Sequence, residues 1–99
     1  MKMLEKQVEA MLTRACKKKQ FRCVKGSTIN NIGFPDRIVF NTDTQRIFFI
    51  EIKNETSYKL TATQLLWQSI ILKSGGEFFH INGEDEMKAF IQTYIEGEK

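Results

Sequence analysis

A chain of 99 residues has room for one hydrophobic core, so a single domain over residues 1–99 is expected. Apolar residues make up 41% and charged residues 27%, which argues against a disordered chain, and no apolar run approaches the roughly 18 residues of a membrane span. The net charge of +3 leans mildly toward anionic partners such as nucleic acid, and the opening Met-Lys-Met-Leu-Glu, with its acid and amphipathic continuation, is not a secretory signal.

Residues 2 to 19 carry helical periodicity. Leu4, Val8, Met11, Leu12 and Ala15 form an apolar stripe at spacings of three and four. Lys17, Lys18 and Lys19 crowd the last turn, where cations suit the helix dipole. Glu5 and Glu9 stand one turn apart on the border of the stripe, where most glutamates are surface residues. Cys16 and Cys23 read as free thiols in an intracellular chain, and a single histidine without a Cys-x-x-Cys argues against a structural zinc site.

Phe21 to Lys25 alternates as a short edge strand, and Gly26 to Gly33 is a polar loop without periodicity. Pro35 suits the first position of a strand, because no ladder N–H is required there, and Asp36 to Phe40 follows. A polar turn at 41–45 leads into a strand from Arg46 to Asn54, making a hairpin. In that strand Phe48, Ile50 and Ile52 point one way, while Glu51 and Lys53 point the other. Two charges on one face of an apolar strand are costly unless they have partners or work.

A polar linker at 55–60 precedes a helix from Thr61 that ends at Gly75-Gly76. Gln64, Trp67 and Ile71 share one face of it and Leu66, Ile70 and Leu72 fill much of the rest, so it is expected to be largely buried across the sheet. Glu77 to Ile81 is another strand, with Asn82-Gly83 as its turn. A last helix begins at Glu84-Asp85-Glu86 and carries a stripe of Met87, Phe90, Ile91, Tyr94 and Ile95. The tail from Gly97 trails off. The order α-β-β-β-α-β-α, with a right-handed crossover through the second helix, gives an α/β fold with a mixed central sheet flanked by helices.

Asp36 and Glu51 lie on adjacent strands of the hairpin, so their carboxylates can converge. Two hard oxygen ligands at a strand end, joined by the backbone carbonyl of Ile52, describe a Mg2+ or Mn2+ site. Lys53, on the Glu51 face, would sit beside the metal. There it could orient or help deprotonate an attacking water, or offset charge on a phosphate. That chemistry is phosphodiester hydrolysis. A lone Glu-x-Lys is usually a surface ion pair; Pro-Asp 15 residues ahead of it, and an amphipathic helix behind it, make the set more specific.

Pro35-Asp36 followed by Glu51-Ile52-Lys53 resembles the signature of the PD-(D/E)XK nuclease superfamily. More narrowly, Gly33-Phe34-Pro35-Asp36, Phe49 to Lys53, Leu60 to Gln64 and Gly75-Gly76 resemble the VRR-NUC family nearly end to end. The resemblance implies a restriction-endonuclease-like core and metal-dependent cleavage of DNA. Small stand-alone members, often from phages, are similar to Holliday junction resolvases and are expected to act as homodimers on branched DNA, in the cytoplasm of the cell or of a phage's host. By position, Asp36 and Glu51 would hold the metal, Lys53 would be the catalytic lysine, and Gln64 would match a helix glutamine near the site. Gln64 also fits a capping box with Thr61. A first-helix glutamate of the family fits Glu9 best, with Glu5 as its competitor. Lys59, Arg37 and the Lys17 to Lys19 cluster are candidate phosphate contacts. Trp67 reads as core and His80 as structural. The alternatives are a non-catalytic DNA-binding module of the same fold, or a partner-binding α/β domain whose Glu51–Lys53 pair is only structural.

Overall fold

The computed structural model describes residues 2–29, 31–56 and 58–97, with Thr28 described in its backbone alone. Met1, Asn30, Ser57, Glu98 and Lys99, and with them part of the expected loop, linker and tail, lie outside the described residues. The chain runs α1 (Glu5–Lys19), β1 (Arg22–Lys25), β2 (Arg37–Asn41), β3 (Arg46–Lys53), α2 (Ala62–Lys73), β4 (Glu77–Asn82) and α3 (Gly83–Phe90). The described strands form one sheet in the order β1-β2-β3-β4. The first three pair antiparallel and β3 pairs parallel with β4, as a helical crossover requires.

Alternation divides the sheet into two unequal faces. Val39, Phe48, Ile50, Ile52 and Ile81 turn to one side, under Val8, Leu12 and Cys16 of α1 and Met87 and Phe90 of α3. Phe48 is fully buried and meets Phe79, Phe90 and Tyr94 edge to face at 5.5–5.8 Å, so the aromatic stripe of the last helix belongs to the core. Beyond Phe90 that helix widens into one π turn, Ile91–Ile95, which still buries Ile91 and Ile95. Asn41 ties the β2–β3 turn to it: its Oδ1 accepts from the amides of Asp43 and Thr44, and its Nδ2 donates to the Tyr94 carbonyl at 2.8 Å.

Four expectations change. Helix α2 is not largely buried: Ile71 is buried, but Leu65, Leu66, Ile70 and Leu72 are between 41% and 58% exposed. The helix crosses only part of its sheet face, so one side of its apolar surface packs and the other faces outward. Gly26 to Gly33 is not wholly irregular, since Gly26–Ile29 makes a 3-10 turn, and β2 starts at Arg37 rather than at Pro35. Asn82-Gly83 is no turn between elements: Asn82 ends β4 and Gly83, at φ +82°, starts α3 directly. Among the described residues no helix is long and apolar enough to cross a membrane.

Candidate active site

The site lies where β2 and β3 part, on the sheet face turned to α2. The ladder's last pair is Arg37 with Ile50, and one step further Asp36 comes opposite Glu51. Neighbouring contacts fix the approach to Asp36. The Gly26 amide donates to the Asp36 carbonyl at 2.7 Å, and a Cβ on Gly26 would fall 1.6 Å from the Pro35 carbonyl oxygen. Only a glycine lets these two backbones come so close. Gly33, at φ +83°, packs against Thr63, and the Phe34 ring stands edge-on to Trp67 at 5.0 Å. The Gly-Phe-Pro stretch is therefore the seam between the hairpin and the start of α2.

Asp36 Oδ2 accepts the Ile52 amide at 2.8 Å. In an extended residue the N–H and C=O point to the same side, so the Ile52 carbonyl also faces the gap beyond β2. Glu51 is 3% exposed. Gln64 Nε2 donates to Glu51 Oε2 at 2.9 Å, while Gln64 Oε1 accepts the Thr61 amide, also at 2.9 Å. Thr61 Oγ1 in turn accepts the Gln64 amide at 3.2 Å. The capping box and the contact to the site are thus two ends of one side chain. Lys53 Nζ stands 4.0 Å from Glu51 Oε2.

Burial, then the charge of Asp36 and the hydrogen bond between the two carboxyls, push Glu51 up to about 8. Lys53 opposes that rise without cancelling it. Burial also raises Asp36, against the Ile52 amide and the bond from Glu51, which lower it. The two carboxyls therefore titrate as one coupled pair, in which burial holds both above their ordinary values.

The first-helix acids stand apart from this pair. Glu9 Oε2 accepts from Arg37 Nε at 2.6 Å, and Arg37 also donates from a terminal nitrogen to the Cys23 carbonyl at 3.3 Å. Arg37 belongs to the α1 face of β2, so it is held in an ion pair and its side chain is only 13% exposed. Glu9 acts on Asp36 and Glu5 acts on Glu51 through charge, each raising its partner. Lys19 pairs with Asp43 at 3.6 Å. Lys59 lines a cleft of about 360 Å3 with Lys53, Thr56 and Tyr58, next to the carboxylates.

Two polar groups near the pair were not candidates on the sequence. In the parallel register His80 lies beside Glu51 and Asn82 beside Lys53. His80 Nε2 and Asn82 Oδ1 are buried without a hydrogen-bond partner among the described residues. Orphaned polar atoms next to a buried acid mark a place where a ligand or water completes the bonding. Only the β3–β4 register could have revealed them, and no local pattern states it.

Among the described residues no group of three or more His, Cys, Asp and Glu side chains forms a ready cation cage. A buried acid opposite a second acid nonetheless fits a divalent cation, because Mg2+ takes one or two carboxylates and completes its shell with water and substrate phosphate. Asp36, Glu51 and the Ile52 carbonyl are the groups that would hold it.

Paired acids and a lysine at the parting of two strands, on an α-β-β-β-α-β-α chain, are the layout of a restriction-endonuclease-like domain. The VRR-NUC domain model matches residues 1–85, and the chain belongs to that family. Membership assigns a nuclease-type function with DNA as the material acted on. No curated protein matches the chain.

Proposed function

We propose that this chain is a Mg2+- or Mn2+-dependent structure-specific DNA endonuclease, resolvase-like in acting on branched DNA and working as a homodimer. The observation that carries the reading is the buried Glu51 beside Asp36 at the parting of two strands, flanked by Lys53 and Gln64. A structural ion pair needs only Lys53 and Glu51, which stand 4.0 Å apart; here a second acid, Asp36, and Gln64 join them.

Each group then has a definite task. Asp36, held by the Ile52 amide, and Glu51, held by Gln64, would be the two carboxylates on the cation. The cation, when bound, lowers the pKa of its water and polarises a phosphoryl oxygen. Lys53 Nζ is placed to orient the attacking water or to meet charge developing on the phosphate. Lys59 and the half-exposed Tyr58 extend the site along the cleft, where a cation suits the next phosphate and an aromatic ring suits an unstacked base. Glu9, the favoured first-helix acid, is within electrostatic reach of Asp36 but bound to Arg37. A role on the metal would require it to leave that partner. The outward leucines of α2 offer apolar surface for a second copy.

The test is cleavage of a labelled four-way junction and a matched linear duplex with Mg2+, Mn2+ or EDTA. Lys53→Ala and Asp36→Ala proteins run beside the wild type, and sedimentation gives the oligomeric state. Paired cuts on the junction that vanish with EDTA and with either substitution support the whole reading. Equal cutting of both substrates removes the junction preference. Salt-sensitive junction binding without cleavage under either metal overturns the enzyme and leaves a DNA-binding module.

A further inference from the structure

Away from the carboxylates, on the opposite face of the sheet, the two cysteines of the chain meet. Cys16 sits in the last turns of α1 and Cys23 in β1, and their side chains are hydrogen-bonded to each other. Cys16 is 1% exposed and Cys23 is half-buried. Both line a surface cleft of about 750 Å3 together with Thr13, Lys17, Arg22 and Arg37. Cys16 belongs to the buried core, while Cys23, packed against that core, is half-buried beside a cleft with Lys17, Arg22 and Arg37 in its wall.

We propose that Cys16 and Cys23 form a redox-active dithiol, which a small hydroperoxide closes to an intramolecular disulfide. The inference goes beyond the nuclease reading and stands if that reading fails.

The surroundings give the two thiols different tasks. The Cys16 hydrogen bond, and the Arg37 guanidinium, hold the Cys23 thiol below its ordinary value against the effect of burial. The same hydrogen bond, with burial, pushes Cys16 up. Cys23 is therefore the attacking sulfur and Cys16 the resolving one. The Cys23 thiolate attacks one peroxide oxygen and the O–O bond breaks. That gives a sulfenic acid on Cys23 and a hydroxide, which leaves as water. Cys16 then loses its proton and displaces the sulfenic oxygen as a second water, forming the S–S bond. The two thiols supply both electrons and the peroxide takes them. Both thiols border one cleft, so the S–S bond would join α1 to β1 within a single chain.

The experiment uses the full chain, reduced, desalted, exposed to a few equivalents of hydrogen peroxide and quenched with N-ethylmaleimide. Intact mass and peptide mapping give the product. The expected result is a monomer lighter by two hydrogens, about 2 Da, blocked to maleimide at both positions and restored by dithiothreitol. Its formation should be at least roughly tenfold faster than oxidation of glutathione under the same conditions. Cys16→Ser should stop at a Cys23 sulfenic acid that dimedone traps, whereas Cys23→Ser should leave Cys16 unoxidised. Sulfinic acid on Cys23 of the wild type, disulfide-linked dimers in place of the monomeric product, or closure only after addition of urea would overturn the proposal.

Discussion

Replacing Glu51 by Gln removes the raised carboxyl of the pair, and its effect on stability has a worked sign. Moving a carboxyl from its ordinary 4.5 to about 8 corresponds to about 5 kcal/mol, at roughly 1.4 kcal/mol per unit. The folded state binds the proton more tightly than the unfolded one. The stability it contributes is full below pH 4.5 and is lost as pH rises through about 8. In EDTA, the wild type should lose stability between pH 6 and 8 at up to about 1.4 kcal/mol per unit, and the Glu51→Gln protein should lose much less. About 1 kcal/mol moves the melting temperature of a domain this size by roughly 4–8 °C. The wild-type melting curve should therefore fall by at least about 5 °C more than the variant's across that window, by circular dichroism or calorimetry. Mg2+ should then raise the wild-type melting temperature more at pH 8 than at pH 6, because cation and proton compete for one pair, and should leave the variant unmoved. Parallel pH curves for the two proteins would refute the raised Glu51 carboxyl. A Mg2+ effect equal at both pH values would refute the competition.

The other expectations are simpler to read. Lys53→Ala removes only a 4.0 Å contact, so it should stay within about 1 kcal/mol of wild-type stability in urea titrations while cleavage falls at least about a hundredfold. Gly26→Ala drives a methyl into the Pro35 carbonyl and should cost about 2–3 kcal/mol, with a matching loss of activity because Asp36 moves with its backbone. Gln64→Ala should cost about 1 kcal/mol for the cap, together with a loss of cleavage; Gln64→Glu keeps an acceptor for Thr61 but sets a second acid against the buried Glu51, so it should restore neither the full stability nor the activity.

Much of the site was legible in the chain itself. Two-residue alternation in Phe48 to Lys53 separates the core side chains from Glu51 and Lys53, and a hairpin of that length brings Asp36 opposite Glu51. The element order was legible too, because each helix carries its own stripe and each break its own turn chemistry. What failed were statements about what an element packs against. The apolar residues of α2 run all round the helix, which reads as burial, yet a helix lying on one sheet face buries one side only, and Leu65, Leu66 and Leu72 stay exposed. Periodicity records hydrophobicity and not the partner that meets it. His80 and Asn82 escaped for the same reason, since their nearness to Glu51 and Lys53 exists only in a parallel register set by the crossover. Glu9 shows the opposite limit. Its spacing fits the first-helix acid, but spacing is silent about Arg37, which binds it.

The double engagement of Gln64 ties the site and the start of α2 to one side chain. One amide group ends on the acid that a proton or cation would occupy, and its other end closes the first turn of α2. A substitution at Gln64 therefore removes a contact to the buried acid and the closure of the first turn of α2 in one step, so neither can be changed there without the other.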